Sequence, residues 1–206
     1  MFSGIVAEMG KVTALEDHFP GKSLTVYAPQ TAPKLAIGGS VAVNGCCLTV
    51  TKLSKDRLSV DLTPETLQRT ALGSAQVDEA VNLEPPLTLA TPLDGHLVLG
   101  HIDGLGQIEE VRNGAEGRWL IVAFSAELAP FVAAKGSIAV DGVSLTVVEA
   151  EENWFSVTVI PHTAAVTTLG HRQAGDRVAI EVDVLARYLA RLMQAGTARG
   201  KGVAQP

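Results

Sequence analysis

The stretch GSVAVNGCCLTV at residues 39–50 returns as GSIAVDGVSLTV at residues 136–147, and this repeat decides the fold. PETLQRTALG at 64–73 returns as PHTAAVTTLG at 161–170, and both pairs are displaced by the same distance (136 − 39 = 97 and 161 − 64 = 97). About 18 of the 47 positions are identical between 38–84 and 135–181, which is hard to reach by chance at so long a period. The chain is therefore two copies of one small domain.

Each copy is rich in short β-branched runs that are separated by glycine turns. The Asn-Gly pair at 44–45, between SVAV and CCLTV, is a strong signal for a β-hairpin. Five to six short strands per copy predict a small closed barrel, so we expect an all-β protein of two tandem homologous barrels. Pro64 and Pro161 are expected to begin one short helix per copy, and Gly73 and Gly170 to stop it.

The domain boundaries follow from the repeat and from a terminal run that only the second copy has. We expect barrels over residues 1–90 and 91–183, joined by a proline-rich linker. The run VLARYLARLMQAG predicts an amphipathic helix over 184–196, stopped by Gly196, and a disordered tail over 197–206. The helix packs either on its own barrel or on copies of itself in an oligomer, and the sequence leaves both open.

Composition and charge exclude several classes of protein. The chain has 206 residues and a formal net charge of −6, with no basic run, so no nucleic-acid surface is expected. The first residues lack the features of a signal peptide, and no apolar run is long enough to cross a membrane. The adjacent Cys46 and Cys47 would point to opposite faces of a strand, which does not suit a disulfide. We therefore expect a reduced, cytoplasmic protein.

Equivalent strands of the two copies carry small polar side chains at the same place. Cys47 corresponds to Ser144 (144 − 97 = 47), and each is followed two residues later by a threonine, Thr49 or Thr146. A thiol and a hydroxyl are both able to act as nucleophiles. The simpler alternative is a small residue that fills a barrel strand, because free cysteine usually behaves as a small hydrophobe.

Two histidines lie close together in GHLVLGHID at 95–103, in the second copy only. His101 corresponds to Ile5 of the first copy (101 − 96 = 5), so one copy has a titratable group that the other lacks. Histidine is the natural base near neutral pH, which makes His96 and His101 candidates for proton transfer. Histidine, Asp103 and cysteine are also zinc ligands, but their spacing fits no closed zinc site, and two structural histidines are the plain alternative.

Two further polar residues distinguish the second copy from the first. In the alignment of the two copies, Lys135 corresponds to Gly38 and Asp183 corresponds to Pro86. A solvated lysine and a helix N-cap are the ordinary explanations for them. Taken as a whole, the pattern predicts two pockets of one shape that hold similar ligands with different acid–base groups.

Together these motifs closely resemble the riboflavin synthases of the alpha-chain type over nearly the whole chain. The resemblance is carried by MFSGIV at the start, VNGCCLTV, PETLQRTALG, GHLVLGHIDG, DGVSLTVVE, IPHTAAVTTLG and EVDVLARYLARL. It implies two flavin-type barrels that each bind one 6,7-dimethyl-8-ribityllumazine, and a dismutation in which one lumazine gives a four-carbon unit to the other. The implied products are riboflavin and 5-amino-6-(ribitylamino)uracil. The resemblance further implies no cofactor, no metal, a homotrimer held by the C-terminal helix, and lumazine synthase as a candidate partner.

The resemblance also assigns site residues. The catalytic positions that it implies are His101, Cys47, Ser144, His96, Asp183 and Thr146. Substrate contacts of the first barrel are implied at Gly4, Ile5, Val6, Ser40, Cys47, Leu48, Thr49, Asp61, Leu62, Thr63, Pro64, Glu65 and Thr66. Those of the second barrel are implied at Gly100, His101, Ile102, Lys135, Ser144, Leu145, Thr146, Thr158, Val159, Ile160, Pro161, His162 and Thr163.

Two other functional classes are weighed against a synthase. Lumazine-binding fluorescent proteins share the implied fold without turnover and resemble the chain in NGC-x-LTV, but they lack the second cysteine and the histidine pair. This chain has Cys47, His96 and His101, which favours the enzyme. A flavin reductase would need a nucleotide domain with a phosphate loop, and no part of the chain is left to supply one.

Overall fold

The computed structural model describes residues 1–200, with side chains described through residue 195. It contains two closed barrels of six antiparallel strands each, which confirms the predicted all-β class. The strands of the first barrel are β1 Glu8–His18, β2 Gly21–Tyr27, β3 Ser40–Val43, β4 Cys46–Leu53, β5 Arg57–Leu62 and β6 Ala80–Glu84. Those of the second are β7 Gly104–Gly114, β8 Gly117–Ala123, β9 Ser137–Val140, β10 Val143–Ala150, β11 Trp154–Val159 and β12 Arg177–Val182.

The predicted hairpin turns are present in both copies. Asn44 and Gly45 join β3 to β4 with φ values of 44° and 78°, and Asp141 and Gly142 join β9 to β10 with 46° and 78°. Positive φ at both central residues is what a two-residue hairpin turn requires, which explains Asn-Gly and Asp-Gly at these places. The two turns also pack on each other, because a Cβ added to Gly45 would lie 2.6 Å from the nitrogen of Gly142.

Each copy has one short helix, α1 Pro64–Arg69 or α2 Pro161–Val166, and each begins at the predicted proline. The predicted stops at Gly73 and Gly170 are wrong. Both helices end earlier because the next residue, Thr70 or Thr167, is extended and its hydroxyl donates to a carbonyl oxygen of the helix at 2.7 Å. The two glycines lie instead in the 3-10 turns that follow.

The C-terminal helix α3, Val184–Gly200, is longer than predicted. Asp183 caps it, since its Oδ1 accepts the N–H of Leu185 at 2.9 Å. Gly196 does not end the helix, because an interior glycine costs only about 1 kcal/mol relative to alanine unless the backbone turns left-handed there. The helix includes 197–200, the first four residues of the predicted tail, and 201–206 lie outside the described residues. No helix in the described part of the chain is long and apolar enough to cross a membrane.

Each barrel has its own apolar core, and a third cluster lies between the barrels. That cluster is formed by Phe2, Ala42, Val98 and Ala139, with Cys47 packed against it. Phe2 and Val98 are equivalent positions of the two copies (98 − 96 = 2), and they form a single antiparallel bridge. Contacts between equivalent residues are what a local two-fold axis produces, so the two barrels are arranged about such an axis.

The segments before β1 and β7 cross this axis; we call residues 1–7 the first arm and residues 95–103 the second arm. Gly4 of the first arm accepts the N–H of Ser144, in the second barrel, at 2.7 Å. Gly100 of the second arm accepts the N–H of Cys47, in the first barrel, at 2.9 Å. The prediction that Gly4, Ile5 and Val6 line the first barrel, and Gly100, His101 and Ile102 the second, is therefore wrong: the arms are exchanged.

The reason for the exchange lies in the ends of the strands. β4 pairs with β5 only from Val50 onward, so the N–H of Cys47 projects beyond the end of β5. A buried N–H needs an acceptor, and the second arm supplies it. Both arms need glycine at the contact, because Gly4 and Gly100 have φ values of 77° and 80° and an added Cβ would collide with Ser144 or Cys47.

Candidate active site

The first site is a cavity of about 300 Å³ where β4, α1, the second arm and α3 meet. Its walls are formed by Cys46, Cys47, Thr63, Glu65, Thr66, Arg69, Thr70, Gly100, His101, Ile102 and Arg187. The structure thus brings together Cys47 and His101, which sequence analysis had assigned to different barrels. Four wall residues were not among the predicted site residues: Cys46, Arg69, Thr70 and Arg187.

The two cysteines of β4 have different surroundings. Both are free thiols; Cys46 is buried and Cys47 is half-buried. Burial raises the pKa of the Cys46 thiol to about 12, with smaller contributions from Cys47 and from the charge of Glu181. Cys46 is therefore an inert thiol at neutral pH. Cys47 is the thiol that a ligand in this cavity would meet.

His101 is exposed and stands in the cavity wall because the second arm is fixed on both sides of it. Before it, the N–H groups of Leu99 and Gly100 donate to the carboxylate of Glu181 at 2.7 and 2.9 Å. After it, Asp103 accepts the N–H of Val182 at 2.9 Å. The arm therefore presents an exposed imidazole on an immobilised backbone.

Arg187 reaches the same cavity from the first turn of α3. Its guanidinium donates to Oδ2 of Asp103 at 3.0 Å. Burial raises the pKa of Asp103, and the hydrogen bond from Val182 and the charge of Arg187 oppose that rise. The sequence predicts an amphipathic helix here, but nothing in its spacing tells which surface Arg187 would face.

The remaining positions implied for the first barrel are divided between the cavity and other surroundings. Thr63 caps α1 by accepting the N–H of Thr66 at 3.2 Å, so both line the cavity rim with Glu65. Leu48 and Leu62 belong to the barrel core, whereas Pro64 begins α1. Ser40 and Thr49 are partners on the neighbouring strands β3 and β4, and Asp61 lines a different groove. The structure does not bring these six to the cavity wall.

The second site is formed around Ser144. Nδ1 of His96 lies 2.7 Å from Oγ of Ser144, within hydrogen-bonding distance. His96 is buried, and its Nε2 atom has no hydrogen-bond partner among the described residues. Burial lowers the pKa of His96, and the negative charge of Asp183 partly opposes this. The imidazole is therefore held mainly neutral at pH 7, hydrogen-bonded to a hydroxyl.

The two sites are equivalent in position and different in chemistry. The first has Cys47 where the second has Ser144, and no histidine in the described part of the chain is hydrogen-bonded to Cys47 as His96 is to Ser144. The exposed Ile5 of the first arm corresponds to His101 of the second arm. His101 therefore lies in the first site with Cys47, and the two sites carry different acid–base groups.

Lys135 lies in the turn before β9 with a φ of 67°, where the equivalent Gly38 has 82°. Its N–H donates to Val147 at 2.8 Å, as that of Gly38 donates to Val50. A left-handed conformation costs a non-glycine residue about 1–2 kcal/mol. Lys135 therefore carries a conformational cost that the equivalent Gly38 does not.

The other positions implied for the second barrel are not gathered around Ser144. Leu145 and Val159 belong to the second core, and Thr158 lines a separate groove beside Trp119. The exposed members are Thr146, Ile160, Pro161 and His162, with Thr163 half-buried on α2. Within the described residues, no group of three or more His, Cys, Asp or Glu side chains is placed to hold a metal ion.

Comparison with known proteins gives the same pattern of two domains. The family model described as lumazine binding domain matches residues 3–85 and again residues 99–183. These two ranges contain all twelve strands. The repeat found in the sequence is therefore a repeat of this family's domain.

Several curated relatives are riboflavin synthases. Those of Mycobacterium bovis and Brucella abortus are 43% and 42% identical to the chain, each over 94% of it and 98% of the relative. That of Actinobacillus pleuropneumoniae is 37% identical over 94% of the chain and 90% of the relative. Among solved structures, LumP complexed with riboflavin has a TM-score of 0.82 at 22% identity, over 88% of this chain and 99% of that one, which shows a shared fold. The chain therefore belongs to the riboflavin synthase family and is built from two lumazine-binding domains.

Proposed function

We propose that the chain is a riboflavin synthase, a transferase that acts on two molecules of 6,7-dimethyl-8-ribityllumazine. One molecule gives a four-carbon unit to the other, and the products are riboflavin and 5-amino-6-(ribitylamino)uracil. Together the two products contain all the atoms of two substrates, so the reaction needs no oxidant or other co-reactant. The observation that carries this proposal is a duplicated site whose equivalent positions hold Cys47 and Ser144.

Two sites at equivalent positions suit a reaction in which the same compound is donor and acceptor. Holding two lumazines face to face replaces a bimolecular encounter by a fixed geometry, which is worth several kcal/mol of barrier. The C7 methyl group of the lumazine is unusually acidic, so a base of ordinary strength suffices to remove its proton. His101 is our candidate for that base, or for a proton relay, because it is exposed in the wall of the first cavity.

In the second site, Ser144 and His96 act as a pair. The distance of 2.7 Å allows the neutral imidazole to accept the hydroxyl proton while the oxygen adds to an electrophilic ring carbon. Asp183 contributes a negative charge near His96, which favours the imidazolium that such a step would form. Asp183 therefore orients and tunes the pair, and Lys135 holds a ribityl or ring oxygen.

The first site has a thiol where the second has this hydroxyl. Cys47 is half-buried beside the cavity and lies within reach of a bound ring. Since no histidine stands beside it in the way that His96 stands beside Ser144, the two sites bind the same compound with different affinity and perform different parts of the reaction.

We further propose a homotrimer in the cytoplasm. The stripe of α3 formed by Leu185, Tyr188, Leu189 and Leu192 is 61–69% exposed in the single chain, and so much apolar surface needs a partner. Reactive sites then form between a first barrel and a second barrel of neighbouring subunits. Two free thiols fit a reducing compartment, and lumazine synthase is a candidate partner because it supplies the substrate.

The test is to mix the purified protein with the lumazine alone and to follow riboflavin fluorescence and absorbance. Turnover should continue after dialysis against a chelator, with one riboflavin formed for every two lumazines consumed. A protein that binds the lumazine and leaves it unchanged would instead be a binding protein of the kind whose fold it shares. The hydrogen-bonded pair of His96 and Ser144 favours turnover.

A further inference from the structure

Two buried glutamates occupy equivalent positions at the ends of the last strands of the barrels (84 + 97 = 181). Glu84 ends β6 and is 6% exposed, and Glu181 lies on β12 and is 1% exposed. We propose that each is a positioning residue for the site of the opposite barrel. Glu181 of the second barrel holds in place the arm that lies at Cys47 and carries His101. Glu84 of the first barrel holds in place the arm that lies at Ser144, beside His96.

The path from Glu181 to the first site consists of three consecutive contacts. Its two carboxylate oxygens accept the N–H groups of Leu99 and Gly100 at 2.7 and 2.9 Å. The carbonyl of the same Gly100 accepts the N–H of Cys47 at 2.9 Å, and the next residue is His101. A carboxylate of the second barrel therefore fixes both groups that the first cavity offers a ligand.

The path from Glu84 to the second site has the same form. Oε1 accepts the N–H and the hydroxyl of Ser3 at 2.7 and 2.8 Å, and Oε2 accepts the N–H of Gly4 at 3.0 Å. The carbonyl of Gly4 in turn accepts the N–H of Ser144 at 2.7 Å. The first barrel therefore holds the arm that lies against the reactive hydroxyl of the second.

The chemistry of these contacts calls for carboxylates. Burial raises the pKa of both groups, and the hydrogen bonds from the arms are the opposing contribution. No lysine or arginine among the described residues forms an ion pair with either. A glutamine has one accepting oxygen and would turn its NH₂ toward an N–H of the arm. Each glutamate is thus suited to hold successive backbone N–H groups of an arm.

This inference rests on the proposed function only for the identity of the ligand, lumazine, that the two sites bind. Its test measures the reactivity of a thiol and does not use turnover. Replacing Cys46 by alanine leaves Cys47 as the single thiol of the chain. In that background, the rate of alkylation of Cys47 by iodoacetamide reports how firmly the second arm covers it. Glu181→Gln should raise this rate by about tenfold, equivalent to ~1.4 kcal/mol of arm docking, whereas Glu84→Gln should leave it within about twofold.

The loss of a nearby negative charge also makes a thiol more reactive, so Glu181→Asp is the matched control. It keeps the charge and loses the reach, and it should raise the rate as Glu181→Gln does. A pH profile of alkylation separates the two causes further: release of the arm multiplies the rate at every pH, and a charge effect moves the midpoint. If only the glutamine variant reacts faster, or if the midpoint alone moves, the positioning role is wrong.

The converse measurement places a thiol in the second site with Ser144→Cys, in a chain that also carries Cys46→Ala and Cys47→Ser. Glu84→Gln should now accelerate alkylation more than Glu181→Gln does. Equal effects of both substitutions at both thiols would mean general loosening and would overturn the assignment.

Hydrogen exchange of the unaltered protein covers the case in which a variant does not fold. The amides of Leu99, Gly100 and Cys47 should exchange slowly and with a common free energy of opening, because one docking event protects all three. Exchange of Leu99 and Gly100 at the rate of an open loop would contradict the inference. If the protein makes no riboflavin, the proposed function fails and these thiol and exchange results still decide the positioning role.

Discussion

The backbone N–H of Phe2 donates to the carbonyl of Val98 at 2.7 Å, and the N–H of Val98 donates back to the carbonyl of Phe2 at 3.1 Å. These residues are equivalent in the two copies, so the pair marks the local two-fold axis. The second arm crosses this axis at Val98. On one side of it, His96 contacts the hydroxyl of Ser144, and on the other side, the carbonyl of Gly100 accepts the N–H of Cys47. One short segment therefore contributes to both sites of the chain.

His101→Ala should lower the rate of riboflavin formation by roughly 10²-fold, the usual contribution of one general base, and should leave the number of lumazine sites per chain unchanged. Ile5→Ala, at the equivalent position of the first arm, is the matched control and should have a much smaller effect on the rate. Single-turnover kinetics and equilibrium dialysis measure the two quantities. A His101 variant that loses binding but keeps the chemical rate constant contradicts the role.

His96 should make the stability of the protein depend on pH. Burial lowers its pKa in the folded state, so below the ordinary histidine value the unfolded chain takes up a proton that the folded chain resists. Its stabilising contribution is complete above ~6.5, the ordinary pKa of histidine, and is lost as the pH falls below that value. His96→Gln should flatten the dependence by up to about 1.4 kcal/mol per pH unit.

Urea unfolding at a series of pH values between 7 and 5 measures this effect, with His18→Gln on the exposed end of β1 as the control. The control should keep the slope of the unaltered protein. A His96 variant with an unchanged slope would mean that the imidazole is not held neutral.

Lys135→Gly should separate stability from activity. Glycine removes the cost of the left-handed conformation, partly offset by the greater freedom of the unfolded chain, so the free energy of unfolding should rise by up to ~1 kcal/mol. The rate of riboflavin formation should fall at least about tenfold, a loss of ~1.4 kcal/mol in the transition state, if the ammonium group holds the substrate. Lys135→Asn is the control, because asparagine also tolerates this conformation. Unchanged activity in both variants would make Lys135 a solvated lysine.

The two faces of α3 should have separable roles. Leu189→Lys with Leu192→Lys places charges on the exposed stripe and should give monomers by light scattering, with ligand binding at the first site retained. Arg187→Ala removes a wall residue of the first cavity and its bond to Asp103, so it should weaken that binding and keep the trimer. A trimer that survives the two lysines would show that the helix is not the assembly element.

The strands could be predicted because hairpin signals are local in the sequence. The duplication could be predicted because the two copies still share many identical residues. Alternating β-branched runs, Asn44-Gly45 and Asp141-Gly142 specify hairpins without reference to the rest of the chain. The exchange of the arms could not be predicted in that way. Aligning Gly4 with Gly100 shows that the two are equivalent, and it does not tell which barrel each one contacts.

Part of the candidate site could be predicted from the sequence. Cys47, Ser144 and His96 are distinguished by their chemistry and by comparison of the copies. Glu84 and Glu181 are identical in the two copies and resemble ordinary strand ends, so only their buried hydrogen bonds reveal them. Arg187 lies on a helix whose packing partner is distant in the sequence.

The arrangement of the arms changes how an intersubunit active site has to be tested. Because His101 lies with Cys47 in the first site, Cys47→Ala with His101→Ala disables that site alone. Ser144→Ala with His96→Ala disables the second site alone.

Each double variant should be inactive as a homotrimer, since every pair of lumazines would meet one damaged site. If a first site pairs with the second site of a neighbouring subunit, mixed trimers contain contacts that join two intact sites, and activity should return. Co-expressed trimers of both variants, verified by mass, should then regain roughly a third of the normal rate, as expected when one of three contacts joins two intact sites. If each pair of sites belonged to one chain, every pair would keep a damaged member, and the mixed trimers would remain as inactive as the parents.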